Sequence, residues 1–322
     1  VETAEVYDFW CAVWAIGEKC GRDVFVDRPR APVYLNWYII LAAQSGTTRK
    51  STAVGAISEL VRTDDNYIRV HSKAIPERLV HNLASQSNSE GHARCTIAVP
   101  ELVTLLGKEG YLVNMPGLLT ALYDCPALTD GDEIDGIKRP LRNVYVTLLS
   151  ASTPSWLITA INPAVIEGGF TSRVIFVCSE RRKRAIAWPS DDAIGMDGTK
   201  DLLVQAVEGA CDVGKITLNK NAFEHYTKWY RTRHAHKDTY RSSFEAREDD
   251  HVLRLAACLS INDGSYRINQ RHISTACKVI SDVKQGAFEL FGGDGGATLN
   301  SRLAEGIDKT RRELVKAGLD GV

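Results

Sequence analysis

Residues 33–43 read Val-Tyr-Leu-Asn-Trp-Tyr-Ile-Ile-Leu-Ala-Ala, an apolar, β-branched and aromatic run that ends at a polar loop of Ser, Gly and Thr. A strand with so little alternation is buried on both faces, as in a parallel sheet covered by helices on each side. Past the loop, Val54, Ile57 and Val61 share one stripe, with Ala53, Ala56 and Leu60 beside it, at helical spacing. A buried strand, a short polar loop and a helix, in that order, restrict the chain to α/β architectures with parallel strands.

The rest of the first half repeats this alternation. Strands are predicted at 95–99, 144–150 and 174–178, and helices at 76–84, 101–107 and 117–123. An N-terminal helix over 2–17 carries Val6, Phe9, Trp10, Val13 and Trp14 on one stripe. After about residue 190 the pattern turns helical, with helices over 200–210, 220–236, 245–262 and 270–290 and a short β excursion near 264–268. The expected organisation is an N-terminal helical segment (1–30), an α/β core (31–190), a helical domain (191–290), and a Gly-rich linker leading to the start of a winged-helix unit or a frayed helix (291–322).

Bulk properties narrow the function little. The chain has 322 residues and a formal net charge of −1, so nucleic-acid binding would need a local basic patch. Its eight cysteines are scattered singly with no C-x-x-C pair, which argues against a zinc ribbon or redox motif and for reduced core thiols in a cytoplasmic protein. No apolar run reaches the roughly 20 residues that span a bilayer, so no membrane partner is expected.

The loop itself carries the chemistry. Residues 44–52 read Gln-Ser-Gly-Thr-Thr-Arg-Lys-Ser-Thr. Lys50-Ser51 matches the last two positions of the phosphate-loop pattern G-x-x-x-x-G-K-[ST], with Gln44 and Arg49 where that pattern has glycines. A loop that leaves a buried strand and opens a helix aims backbone N–H groups and the positive helix end at a bound anion. Lys50 would reach the β- and γ-phosphates of ATP, and the Ser51 hydroxyl would hold Mg²⁺. Gly46 and the small residues Ser45, Thr47 and Thr48 keep the backbone open to the phosphates, and Thr52 follows in the first helical turn. Arg49 adds positive charge at the cost of backbone freedom if its φ must be positive. The alternative is an ordinary polar strand-to-helix loop.

Other candidates lie where strands end. Glu101 follows the 95–99 strand and is placed to polarise an attacking water, or else it is a carboxylate favoured by a helix N-terminus. Pro100 stands where a second acid would assist Mg²⁺, and Asp124 is a substitute from elsewhere. Ser150, Ser152 and Thr153 close the 144–150 strand. A hydroxyl there could sense the γ-phosphate, or cap the turn at Pro154.

The segment 45–52, Ser-Gly-Thr-Thr-Arg-Lys-Ser-Thr after a hydrophobic strand, resembles a domain of unknown function in phage and mobile-element proteins. Those are RecA/AAA-like P-loop ATPases related to replicative helicases and often fused to primases. The resemblance continues at Glu101-Leu102, at 150–157 (SASTPSWL), at 168–177 (GGFTSRVIFV) and at 251–256 (HVLRLA), and so spans roughly residues 30–285. It implies a P-loop core with a C-terminal helical domain and a homo-oligomeric ring. It also implies that Arg173 reaches a neighbour's nucleotide and that Arg254 contacts phosphate from the helical domain. Without it, Arg173 reads as a salt bridge, and Arg254 or His251 as a partner of Glu248 or Asp250.

Three basic stretches bear on nucleic acid: the end of the long polar loop 124–142 (Lys138, Arg139, Arg142), residues 181–184, and 228–241 with Trp229, Tyr230 and Tyr240 interleaved. Cations bind phosphates and rings stack bases, though charged helix faces are most often simply solvated. His234 and His236 are spaced wrongly for one helical face and predict no metal site. The expected function is an ATP- and Mg²⁺-dependent, helicase-like motor acting on DNA. The rivals are a nucleotide-regulated assembly module in phage defence or its evasion, and a P-loop without activity.

Overall fold

The structure, a computed structural model, describes residues 2–291 except 30, 62–67, 72–74, 107–113, 130–131, 135–136, 162–164, 167, 180–181, 183–184, 187–195 and 234–238. The expected linker and winged-helix start, and His234 and His236, lie outside the described residues.

Five parallel strands form the central sheet: β3 (Tyr38–Ala42), β4 (Ile68–Val70), β5 (Ala93–Val99), β8 (Val144–Ser152) and β9 (Val174–Cys178), in the order β4-β5-β8-β3-β9. Every residue of β3 is buried. Its side chains alternate between two cores. Ile39 and Leu41 join one, while Tyr38, Ile40 and Ala42 join the other. That division explains the absence of polar alternation in the sequence.

One core packs α1 (Glu5–Cys20) and α2 (Lys50–Leu60) on the sheet and continues into α10 (Glu248–Asn262) and α11 (Gln270–Phe291). The other holds α3 (Pro76–Glu90), α4 (Leu102–Leu106), α5 (Asn114–Tyr123) and α6 (Pro154–Ala160), with Phe244 of α9 (Thr239–Glu245) and Phe288 and Phe291 of α11. Two more helices, α7 (Met196–Val213) and α8 (Lys220–Thr232), complete the described helical part.

The run 33–43 is not one strand. Val33–Tyr34 forms β2 of a second, small sheet with β1 (Phe25–Val26), β10 (Lys215–Leu218) and β11 (Arg267–Ile268), in the order β11-β10-β1-β2. Between β2 and β3 the chain is drawn inward. Asn36 Nδ2 donates to the Tyr123 carbonyl at 2.8 Å, and Trp37 packs edge-on against Trp10 at 5.6 Å. A Cβ on Gly17 of α1 would lie 2.0 Å from the Leu35 carbonyl oxygen, so this crossing admits only glycine. In the long polar loop, Asp132–Ile134 and Ile137–Arg139 pair as an antiparallel hairpin, β6 and β7.

The buried stripe of α1 is rotated from the expected one. Tyr7, Trp10, Cys11 and Trp14 are buried, while Val6 and Phe9 pack only partly. The turn of the helix brings Tyr7 to the end of β3.

Candidate nucleotide site

The connection out of β3 runs to one side of the sheet, toward β4. The connections out of β5 and β8 run the other way. Beside β3, therefore, the sheet has a switch point. The crevice outside the strands' C-terminal ends at such a point is where open α/β sheets bind ligands. The loop 43–49 and the N-terminus of α2 occupy it.

The loop's backbone has the features a phosphate cradle needs. Gly46 has φ +75°, and a Cβ there would meet nothing within 4 Å, so the glycine serves conformation rather than space. Arg49, standing where the pattern has its second glycine, adopts φ 54°, ψ 37°, a left-handed conformation that costs an L-residue roughly 1–2 kcal/mol. The sequence departs from the pattern here, yet the backbone adopts the conformation a glycine would take. No side chain caps α2, and its first turn carries no acid. Its leading N–H groups are thus not neutralised by a cap or by an acid of the helix's own first turn.

Lys50 is only 9% exposed. Its Nζ donates to the carbonyls of Ala43 at 2.8 Å and Gln44 at 3.1 Å, folding the side chain back over the loop. An ammonium has three donors, so one remains for a ligand. Burial lowers the Lys50 pKa from its ordinary value. A bound polyphosphate would oppose that shift by favouring the charged form. Ser51, Thr52, Ser45 and Thr47 are exposed at the same mouth, and Thr47 Oγ closes a turn on the Gln44 carbonyl at 2.9 Å. Thr48 points inward and is fully buried, so its contribution to a ligand is its backbone.

Two residues that the sequence did not single out shape this loop. Tyr7 Oη donates to the Ala42 carbonyl at 2.9 Å and accepts from Thr48 Oγ at 3.4 Å, pinning both ends of the loop to α1. Glu2 takes Arg49 at 3.2 Å and Arg182 at 3.3 Å, so the loop's extra cation is paired with the chain's N-terminal segment. Tyr7 could have been found from its spacing to Trp10 and Trp14. Glu2 had no local signal.

Ser152 sits beside the loop: Ala42 is its partner in register, and the Ala43 N–H reaches its carbonyl at 3.4 Å. Among the described residues its hydroxyl has only a long contact to the Thr153 carbonyl at 3.5 Å. Ser150 is instead consumed, donating to the Val99 carbonyl at 2.7 Å in the core. Thr153 is the N-cap of α6. Glu101 is exposed past the end of β5, at the same sheet edge but two strands from β3, a separation of about 10 Å.

The structure does not bring Arg173, Asp124 or Arg254 to this loop. Arg173 precedes β9, whose Val174 pairs with Tyr38 at the start of β3. It therefore lies at the opposite sheet edge, about 15 Å from the loop of its own chain. There Arg173 donates to the Gly169 carbonyl at 2.9 Å and to Asp124 Oδ2 at 3.2 Å, and Arg247 donates to that same oxygen at 2.9 Å and to Oδ1 at 2.5 Å. The expectation that Asp124 assists Mg²⁺ fails for this reason: both of its oxygens serve arginines at the far edge.

Arg254 likewise sits at that far edge. It is 4% exposed, lies over the Tyr123 ring at 4.3 Å and donates to the Tyr123 hydroxyl. As a phosphate ligand of its own chain it is out of place, because α10 is buried along nearly its whole length and this cation is turned onto the Tyr123 ring of α5. His251 beside it accepts or donates to Tyr123 Oη at 3.0 Å and stacks on Trp37 at 5.9 Å, and burial pushes its pKa down to about 3, so it is neutral. Arg254→Ala removes a buried cation–π contact and a buried hydrogen bond. It is expected to cost on the order of 3 kcal/mol, or on the order of 5–10 °C in Tm, by thermal denaturation. Any nucleotide-induced shift should remain.

Among the described residues no cluster of His, Cys, Asp and Glu could hold a metal, and no helix is long and apolar enough to cross a membrane.

No family model matches the sequence, and no curated protein matches it. Among solved structures, a full-length MCM homolog from Methanopyrus kandleri is similar at 14% identity and a TM-score of 0.46, over 85% of this chain and 54% of that one. The chain thus spans about half the length of that protein. A likeness of that degree decides nothing about this chain's chemistry, which rests on its own residues.

Proposed function

We propose that this chain binds and hydrolyses ATP on the loop 44–52 and is a helicase-like motor of phage or mobile-element type, acting on DNA as a ring. The observation that carries the reading is the uncapped N-terminus of α2 at the switch point, with Lys50 folded over a loop whose Arg49 and Gly46 take positive φ. The N–H groups of the loop and first turn cradle the phosphates, and Lys50 trades a carbonyl for the β- and γ-phosphates. The exposed Ser51 hydroxyl fits Mg²⁺, which keeps several waters and needs few protein ligands. Bound there, Mg²⁺ supplies charge neutralisation on the phosphates.

Ser152, at the tip of β8, lies where the γ-phosphate would be sensed. Glu101, exposed at the same edge, orients the attacking water. Arg173 lies far from its own loop, so the role that the resemblance gives it would be on a neighbour's nucleotide in a ring, and would require it to release Asp124. The β6–β7 hairpin, ending at Arg139, would then face the central channel and touch the DNA backbone.

The test is ATP turnover with and without single-stranded DNA. The reading expects a several-fold rise in turnover with DNA. Turnover indifferent to DNA, with sedimentation shifting on ATP alone, would instead favour an assembly switch.

A further inference from the structure

Among the described residues, helix α8 leaves a large apolar and cationic face without a partner. Its inward side is accounted for: Ala222 is buried, and Tyr226 and Trp229 pack against the core. Its outward side is not. Phe223 is 61% exposed and Tyr230 46% exposed. With Thr227 and Arg231 they fall at i, i+4, i+7 and i+8, on one face. A shallow groove runs along this face, lined by Phe223, Glu224, Thr227, Lys228, Arg231 and Thr232.

The two rings stand two helical turns apart, about 10 Å along the axis. One face of Tyr230 is already occupied, since Arg233 lies 4.8 Å from the ring centre and is itself held near Asp249 at 3.8 Å. That guanidinium fixes the ring while its exposed surface remains open to a planar ligand.

Charge identifies the ligand. Lys220, Lys228 and Arg231 are exposed on α8. The adjoining α11 is tied to α8 by the contact of Ser274 Oγ with His225 Nε2 at 3.1 Å, and it exposes Arg271 and Lys278 on the same stripe as Ser274. Against these five cations stand the exposed acids Glu224 and Asp282. In a chain of net charge −1 this is a local positive surface. Exposed rings between cations suit a polyanion with unstacked bases.

We infer that the outer face of α8, with Phe223 and Tyr230 as stacking platforms and Lys228, Arg231, Arg271 and Lys278 as phosphate contacts, binds single-stranded nucleic acid. The inference shares with the proposed motor only its partner. Measured without nucleotide, its failure is distinguishable from failure of the ATP site.

The experiment is fluorescence anisotropy of a labelled 20-nucleotide oligo(dT) against the whole chain at several salt concentrations. Wild type should bind. The Phe223→Ala/Tyr230→Ala variant should bind at least about fivefold more weakly per ring lost. The Lys228→Glu/Arg231→Glu variant should weaken binding further and flatten its salt dependence. Because all four side chains are solvent-facing, thermal midpoints and DNA-free ATP turnover should match wild type. No oligonucleotide binding by wild type, or wild-type affinity in the ring-truncated variant, overturns the inference. Equal affinity for a 20-base-pair duplex in wild type and both variants overturns it as well.

Discussion

Replacing Lys50 with alanine is expected to reduce ATP turnover by at least about a hundredfold, the loss typical when one preorganised donor to a developing negative charge is removed. The geometry makes this residue hard to replace. Lys50 is the first residue of α2 and follows a left-handed Arg49, so its stem is directed back over the loop rather than into solvent. The other cation of the loop, Arg49, is half exposed and paired with Glu2 of the N-terminal segment, so it is poorly placed to substitute. Ala43 is buried and its carbonyl loses a buried donor, so a modestly lowered thermal midpoint is expected beside the lost turnover, while the exposed Gln44 carbonyl can turn to water. Steady-state phosphate release, alongside a thermal scan of each protein, separates lost catalysis from lost fold. Turnover in Lys50→Ala within a few-fold of wild type would remove the loop from the mechanism.

Arg173→Ala should lower turnover by about a thousandfold or more if the residue serves a neighbour's nucleotide, as arginines supplied in trans do. Two arrangements could produce such a loss, and mixing distinguishes them. Lys50→Ala chains retain Arg173, and Arg173→Ala chains retain Lys50. In a ring that uses both across an interface, equimolar inactive variants assemble some complete sites and regain part of the activity. Arg173 also binds Gly169 and Asp124 in its own chain, so a lowered thermal midpoint in Arg173→Ala is expected on structural grounds. Recovery on mixing is the readout that a merely structural role would not give. Unchanged turnover in Arg173→Ala, or no recovery on mixing, contradicts action in trans.

The parallel sheet was legible because its strands are long or continuously apolar. Ile39-Ile40-Leu41 in β3, Val146 to Leu149 in β8 and Val174 to Val177 in β9 are short, β-branched runs between turn signals, and the structure buries each on two faces. Most of the short strands were not legible: β11 falls within the β excursion expected near 264–268 and β2 within the run 33–43, but β1 with two residues and β4 with three are too short to show any period, and β1 exists through pairing with Lys215 and Ile216 in a distant part of the chain. The break at Leu35–Trp37 was hidden for the same reason, because the close approach of Gly17 and the pull of Tyr123 on Asn36 are tertiary.

The candidate site divides along similar lines. Lys50 and Ser51 were singled out by their match to the end of the phosphate-loop pattern and by local order, strand then loop then helix. Arg254 was assigned to phosphate by the resemblance at 251–256, which carries no sign of where α10 packs, since its partner Tyr123 lies 131 residues away in sequence. Glu2 and Tyr7 were missed because their roles depend on where α1 docks.

The most direct test of the account is the thermal midpoint of the whole chain with and without saturating Mg-ATP, in wild type and in Lys50→Ala. At a hundred times its Kd a ligand adds about 2.7 kcal/mol, which raises the midpoint by roughly a few degrees for a chain of this size. The account predicts that rise in wild type and its loss in Lys50→Ala. An unchanged wild-type midpoint, or an equal rise in both proteins, would contradict it.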